Sequence, residues 1–419
     1  MKIAIRLLAL GLLLALSAPP AAHAGRGRPS GFSFWIGKTD SGIQTGAATR
    51  FYLANAPETG DAGTTEALRE FPMPTSGTLS ELRVSLSADV DAAGDSLVVT
   101  VRKNGADTRL ACSIVGSTGT EMYCENVGDE AVFARGDRVS LQFVTAGSPA
   151  AVLPGWSLRF DPDATSEGIL PAITTIALAG NSDSWWGLGC GTVVNGSDVT
   201  RQLAMPIAGR IVAMYVRSSG VIASGNRSVD LYKNGVASTE MTCTLNNAAQ
   251  DCSDVIGQIV LNPGDTLTAH AVSADAATLQ GVNIGLLLIP YNPGEFALLT
   301  GASPSVSATN YMYMNSAGSG LATATEATAA GYLPPLLLLR AFALVSVAPG
   351  TGASWRFGIR RDLTTDTALG CTIADPATNC SVAYAIGTEL NQRIAWSSVP
   401  SAVAPAAARA MLSLAVKAR

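Results

Sequence analysis

The sequence predicts an all-β protein folded as three tandem antiparallel sandwiches within one chain of 419 residues. Two observations carry that expectation. Short alternating runs such as "SLVVTVRKNG" (96–105) and "RVSLQFVTA" (138–146) are separated by Gly, Asn, Asp and Pro, while long helical periodicities are absent. Two cysteines also recur in step: Cys112, Cys243 and Cys371, then Cys124, Cys252 and Cys380. Their spacings of 131 and 128, then 128 and 128, are the size of a whole domain and far too long for a solenoid repeat.

Residues 1–24, "MKIAIRLLALGLLLALSAPPAAHA", place Lys2 and Arg6 before an apolar run and end on Ala22-His23-Ala24. This is the pattern of a secretory signal peptide, so the mature chain is expected to start near Gly25. Its loss changes the charge from 27 − 32 = −5 to 25 − 32 = −7. A mildly acidic chain is a poor partner for nucleic acid. No later run suits a membrane span, since "LPPLLLLRAFALVSV" is broken by Pro334, Pro335 and Arg340.

Three units follow, at 25–162, 172–290 and 295–419, with linkers at 163–171 and 291–294. "FSFWIG", "TIALAG" and "FALLTG" open the units, followed by "RFYLAN", "TVVNG" and "YMYMN". Next come a Pro and a strand-like run: "FPMPTSGTLSELRVSLS", "LAMPIAGRIVAMYVRSS" and "GYLPPLLLLRAFALVSV". The cysteine segments "VTVRKNGADTRLACSIVGSTGTEMYCEN", "VDLYKNGVASTEMTCTLNNAAQDCSD" and "FGIRRDLTTDTALGCTIADPATNCSV" form the centre of each unit. "GWSLRFDP", "VNIGLLLIP" and "ARAMLSLAVKAR" close them. Seven or eight strands per unit make an antiparallel sandwich the natural closure.

In an exported chain the six matched cysteines read as disulfides Cys112–Cys124, Cys243–Cys252 and Cys371–Cys380, each stapling a hairpin across facing antiparallel strands. Each such small loop is expected to contribute about 2–3 kcal/mol. Zinc is not expected, because no pair has the further Cys or His that a four-donor site needs. Cys190 is the odd seventh, with Arg50 and Asn310 near its place in the other units. It reads as a buried thiol, with intermolecular pairing and a reactive group as alternatives.

The order of Pro, strand, Lys-Asn-Gly, Gly-Asp and apolar last strand resembles the jelly-roll superfamily of tumour necrosis factor and the globular heads of the first complement component. The residues carrying the resemblance are Asn104-Gly105 and Asn234-Gly235, Gly136-Asp137 and Gly264-Asp265, and "NIGLLLIP" (283–290). The third unit departs, with Asp362-Leu363 and Asn391-Gln392 at those positions. The resemblance implies jelly rolls arranged as trimers. Three units in one chain are therefore expected to pack as an intramolecular pseudo-trimer, the alternative being beads on a string.

Chemistry is scarce. Beyond residue 24 there is one histidine, His270, and alternation in "DTLTAHAVSA" puts it on the face opposite Leu267, Ala269 and Ala271, as a surface or interface side chain. No metal-protease, P-loop, nucleophile-elbow or dinucleotide pattern occurs. Acids at Asp89, Asp91, Asp95, Asp161, Asp163 and Glu167 read as solvated turn carboxylates, the first three offering oxygens for Ca²⁺ without an EF-hand pattern. Trp185 and Trp186, beside Asp183 in a Gly-rich stretch, could face a sugar ring or a protein, one of the two belonging to the core. Tyr311 and Tyr313 share a strand face and are the other candidate contacts.

The sequence thus predicts a secreted, non-enzymatic recognition or surface-structural protein, extracellular, periplasmic or at the cell surface, without cofactor or metal. Its expected partner is a glycan or protein surface, with self-association open. A phage-fibre-like or capsid-like building block and a glycan-active enzyme using carboxylates alone are the alternatives.

Overall fold

In a computed structural model of the chain, the described residues are 32–418 apart from 40–47, 55–62, 91–93, 117–121, 148, 150–151, 165, 175–177, 179, 191–193, 196–200, 222–224, 247–248, 274–280, 303, 313, 315–321 and 390–391. The signal segment 1–24 and Tyr313 lie outside them.

Each unit is a two-sheet antiparallel jelly roll. In the first, one sheet runs Ser33–Lys38, Pro154–Pro162, Gly77–Leu86 and Tyr123–Asn126, so the first and last strands are neighbours. The facing sheet runs Ala48–Tyr52, Arg138–Ala146, Ser96–Lys103 and Ala106–Val115. Alternation drives the closure: Leu82, Val84 and Leu86 of one sheet and Leu97, Val99 and Val101 of the other turn inward and are buried together. The same order returns in the third unit, as Glu295–Ala302, Ala410–Ala418, Leu336–Val345 and Asn379–Gly387 facing Asn310–Met312, Gln392–Pro400, Ser354–Arg361 and Thr365–Ala374.

The second unit also repeats it, but its first strand is Gly168–Thr174, paired with Val282–Pro290. That strand takes in residues 168–171 of the expected linker, and residues 175–177 and 179 of the expected opening run "TIALAG" lie outside the described residues. Its strand Asp183–Trp186 pairs with Thr266–Ser273 as Ala48–Tyr52 pairs with Arg138–Ala146. The structural counterpart of Arg50 and Asn310 is therefore Ser184, not Cys190, and "SWW", not "TVVNG", matches "RFY". Cys190 instead ends a two-residue strand running parallel to Ala172–Ile173.

The Asn-Gly sites form the expected tight hairpins. Asn104 and Gly105 have φ of 52° and 82°, Asn234 and Gly235 of 53° and 76°, the pair of positive angles that a two-residue hairpin turn demands. Asp362 and Leu363 adopt the same geometry at 52° and 64°, a conformation that Leu enters at a cost.

The three disulfides pair as expected, with Cα separations of 5.8, 5.9 and 5.9 Å. They do not staple hairpins. Cys112 lies in Ala106–Val115 and Cys124 in Tyr123–Asn126, strands that edge opposite sheets. The disulfide therefore clips the two sheets together at that edge. Cys243–Cys252 and Cys371–Cys380 do the same in their units.

The units contact one another in one rotational sense. Phe71–Pro72 of the first packs on Val282–Pro290 and Gly209–Ser218 of the second. Leu203–Ala204 of the second packs on Ala410–Ala418 and Leu336–Val345 of the third. Gly331–Leu333 of the third packs on Pro154–Pro162 of the first, which closes a ring. The cores are continuous across these seams: Ile169 and Ile173 cluster with the first unit, Leu299 and Met411 with the second, and Phe34 and Ile36 with the third. The approach is close. A Cβ on Gly285 would sit 2.4 Å from the Pro72 carbonyl oxygen, so only glycine fits there, and at the matching place Ser413 Oγ donates to the Ala204 carbonyl at 2.5 Å.

Candidate functional site

The residues singled out in the second unit form one cluster on the outer face of a sheet. Trp185, His270 and Asp230 stand in a row across three paired strands. His270 Nδ1 is 2.8 Å from Asp230 Oδ1, the indole of Trp185 lies 3.9 Å from the imidazole centroid, and Tyr232 meets Trp185 edge-on at 4.3 Å. Asp183 is half exposed, with Oδ1 3.9 Å from His270 Nε2. Trp186 points the other way into the core, as a neighbour on a strand must.

Neither tryptophan offers a ring face to a ligand: Trp186 is fully buried and Trp185 is 8 % exposed. His270 is buried as well, at 3 %, where the sequence suggested a surface or interface side chain. The reason is that this outer face is covered by its own aromatic residues rather than by solvent.

The other units show what such a cluster does. At the place of Trp185 and Tyr232, the first unit has Phe51 and Arg102 and the third has Tyr311 and Arg360. Each guanidinium lies 5.6 Å from the aromatic centroid. Each is held from behind by a glutamate of a short helix, Glu66 and Glu326, at 2.7 Å. The Glu66 hydrogen bond raises the Arg102 pKa above its ordinary value. Tyr311 is thus half-buried packing beneath Arg360, and the Asp-His-Trp-Tyr group is the second unit's version of the same plug.

The acidic stretch does not gather either. Asp91 lies outside the described residues, Asp95 is buried, and Asp161 is held by Arg159 through two bonds of 2.7 Å. Among the described residues no group of three metal-ligating side chains is present.

The seams differ more than the units do. In the first, Glu70 is buried, accepts from Arg217 at 2.5 Å and is ion-paired with Arg138 Nε at 3.1 Å, while Asn283 Nδ2 donates to its backbone oxygen at 2.8 Å. Asp251 takes the other side of Arg217 at 3.0 Å. The second seam replaces this group with apolar contact, Leu344 and Met411 standing at the places of Arg217 and Asn283. In the third, Ala330 stands at the place of Glu70, Ser85 at that of Arg217 and Gly155 at that of Asn283. Three small residues leave a cavity of about 140 Å³ between the third and first units.

That cavity is lined by Lys38, Arg83 and Arg393, with Ser85, Tyr123 and Trp156 among the other walls. Arg393 matches Arg138 by strand register, each accepting the turn amide of its unit through its carbonyl oxygen. Arg83 is held by Glu81 at 3.1 Å and Glu125 at 3.4 Å. Lys38 Nζ donates to the Ala330 carbonyl at 3.4 Å. Burial, then the nearby Arg393, lowers its pKa to about 8. Nothing in the individual strands announces these residues. The signal is the difference between units, Glu70 against Ala330, and it has meaning only once the ring shows which strands meet.

No family model and no curated protein matches the chain. Distant solved structures include a xanthan lyase from Paenibacillus, 16% identical with a TM-score of 0.18, the match covering 53% of this chain and 22% of the lyase. A broad bean stain virus structure is 11% identical with a TM-score of 0.21, covering 68% of this chain and 95% of its own. A structure described as the triple jelly roll fold and turret assembly in an archaeal virus is 11% identical with a TM-score of 0.17, covering 90% of both chains. The chain spans less than a quarter of the lyase. Superpositions this loose carry no function across.

Proposed function

We propose that the chain is an exported, non-enzymatic recognition head that binds a glycan or protein surface through the loops of its jelly rolls. The observation that supports it is the closed ring. A head-to-tail interface either closes or propagates into a filament, and here one chain supplies all three seams. The seam surfaces are therefore consumed within the molecule, which favours a finished head over a block that polymerises through them. Three disulfides across the sandwiches fit an oxidising compartment and a scaffold that must stay folded outside the cell. Strand order, with first and last strands adjacent, and the seam of a short strand edge on the next unit's sheet support kinship with the tumour necrosis factor and complement-head jelly rolls.

Export rests on the N-terminal pattern; among the described residues no helix is long and apolar enough to cross a membrane. A glycan-array and protein-binding screen, run beside polysaccharide hydrolysis assays and sedimentation, tests the proposal. Saturable binding by a monomer without turnover supports it. Carboxylate-dependent cleavage of a sugar polymer, or assembly into particles without any ligand binding, overturns it.

A further inference from the structure

We infer that the cavity in the third seam is a binding site for a small carboxylate-bearing ligand, the class of a sugar acid. The first seam shows why. There the chain itself places a carboxylate, Glu70, between the guanidinium groups of Arg138 and Arg217. In the third seam the guanidinium equivalent to Arg138 is kept as Arg393, the carboxylate is gone at Ala330, and two further cations, Lys38 and Arg83, line the space. Arg393 enters no ion pair among the described residues. The ligand's carboxylate takes the place that the Glu70 side chain occupies one seam away.

Size and surroundings agree with a sugar acid. A volume of about 140 Å³ has room for roughly five waters, more than a single ion needs, and the space opens to solvent, so it seats the carboxylate end of a hexuronic acid while the rest of the ring reaches outward. Ser85, Ser87 and Ser157 add hydroxyl groups to the walls, and Tyr123 adds ring surface. Arginine and a partly desolvated lysine favour a carboxylate over a neutral sugar, because the charged hydrogen bonds are strengthened where water is excluded. A guanidinium fork suits the two oxygens of a planar carboxylate.

The site adds to the recognition reading and does not depend on it, since it lies in a seam and not in the loops. The test is calorimetric titration of the full chain with D-glucuronate, with D-glucose and inorganic phosphate as controls. Glucuronate is expected to bind saturably and glucose not at all. Ala330→Glu installs the missing carboxylate, and is expected to weaken glucuronate at least tenfold while the variant keeps its melting temperature and any loop-mediated glycan binding. Arg393→Gln, which adds no bulk, is expected to weaken it at least tenfold as well and carries the test if Ala330→Glu does not fold. Absence of saturable glucuronate binding, affinity unchanged from the parent in both variants, or tighter binding of phosphate than of glucuronate would each overturn the assignment. A loop-bound glycan retained in all variants would leave the recognition reading standing in any of these cases.

Discussion

Asp362 accepts a 2.7 Å hydrogen bond from Gln392 Nε2, and this bond is the one Asn104 makes to Asp137 with donor and acceptor exchanged. In the first two units the turn asparagine donates its amide to an aspartate, at 2.7 Å to Asp137 and 2.8 Å to Asp265. Lys103 and Lys233 neutralise those aspartates. In the third unit the carboxylate has moved to the turn and the amide to the facing strand. What looked in sequence like a loss of both motifs is a latch preserved by paired change. Gln392→Asp alone sets two carboxylates against each other and is expected to cost about 0.5–1.5 kcal/mol, the worth of the bond plus repulsion. Asp362→Asn with Gln392→Asp rebuilds the first unit's version and is expected to recover most of that loss in denaturant titration. No recovery in the double variant would mean the bond contributes nothing.

Acid should release the latches of the first two units. Desolvation pushes Asp137 upward, but the Lys103 and Asn104 side-chain bonds and the Ala134 amide outweigh it, so its pKa falls below the ordinary 3.8. Asp265 behaves likewise, with Asn234, the Asn262 amide and Lys233 outweighing desolvation. A carboxyl whose pKa is lower folded than unfolded contributes stability that is present above the unfolded value and lost as pH falls through the folded one. Stability is therefore expected to drop below about pH 4. Asp265→Asn should flatten that part of the curve, measured as melting temperature against pH.

Much of the fold was legible because it rests on local chemistry. Asn104-Gly105 announces a turn that only positive φ allows, and the alternation of Leu97, Val99 and Val101 announces a buried strand face. The cysteine partners were legible from their repetition, but not their geometry: sequence spacing cannot tell a ladder partner from a strand in the opposite sheet. The seams were the least legible part. Gly285, Glu70 and Ala330 look ordinary in their own strands, and their meaning comes from residues more than a hundred positions away.

Trp185 illustrates the same limit for the candidate site. An aromatic beside Asp183 suggests a ligand platform, but in the fold the indole lies against His270 and Tyr232. Trp185→Ala is expected to cost about 3–5 kcal/mol in stability, the range for deleting a large buried ring. Binding of any glycan found in the array should be unchanged once the protein is folded. A stable Trp185→Ala protein that loses its ligand would return the residue to a recognition role.

The inter-sheet clips make a separable prediction. Cys371→Ser with Cys380→Ser removes the covalent link between the two sheets of the third unit and is expected to cost about 2–4 kcal/mol. Peptide mapping of the unreduced parent chain should recover the three pairs found here, and reductant should lower its melting temperature by more than it lowers that of the variant.

The first seam gives the sharpest energetic test of the ring. Glu70 and Arg217 are both buried, so the pair has paid desolvation and is held by geometry. Glu70→Gln keeps the volume but leaves two guanidinium groups facing a neutral amide, with only the half-exposed Asp251 to balance Arg217. The expected loss is about 3–5 kcal/mol. Replacing the group by the second seam's apolar version, Glu70→Gln with Arg217→Leu and Asn283→Met, should cost less than Glu70→Gln alone, because no buried charge is left without its partner. If the units behaved as independent beads, neither change would alter the cooperativity of unfolding. The ring predicts that Glu70→Gln splits one transition into two, seen by calorimetry as an early-melting first unit.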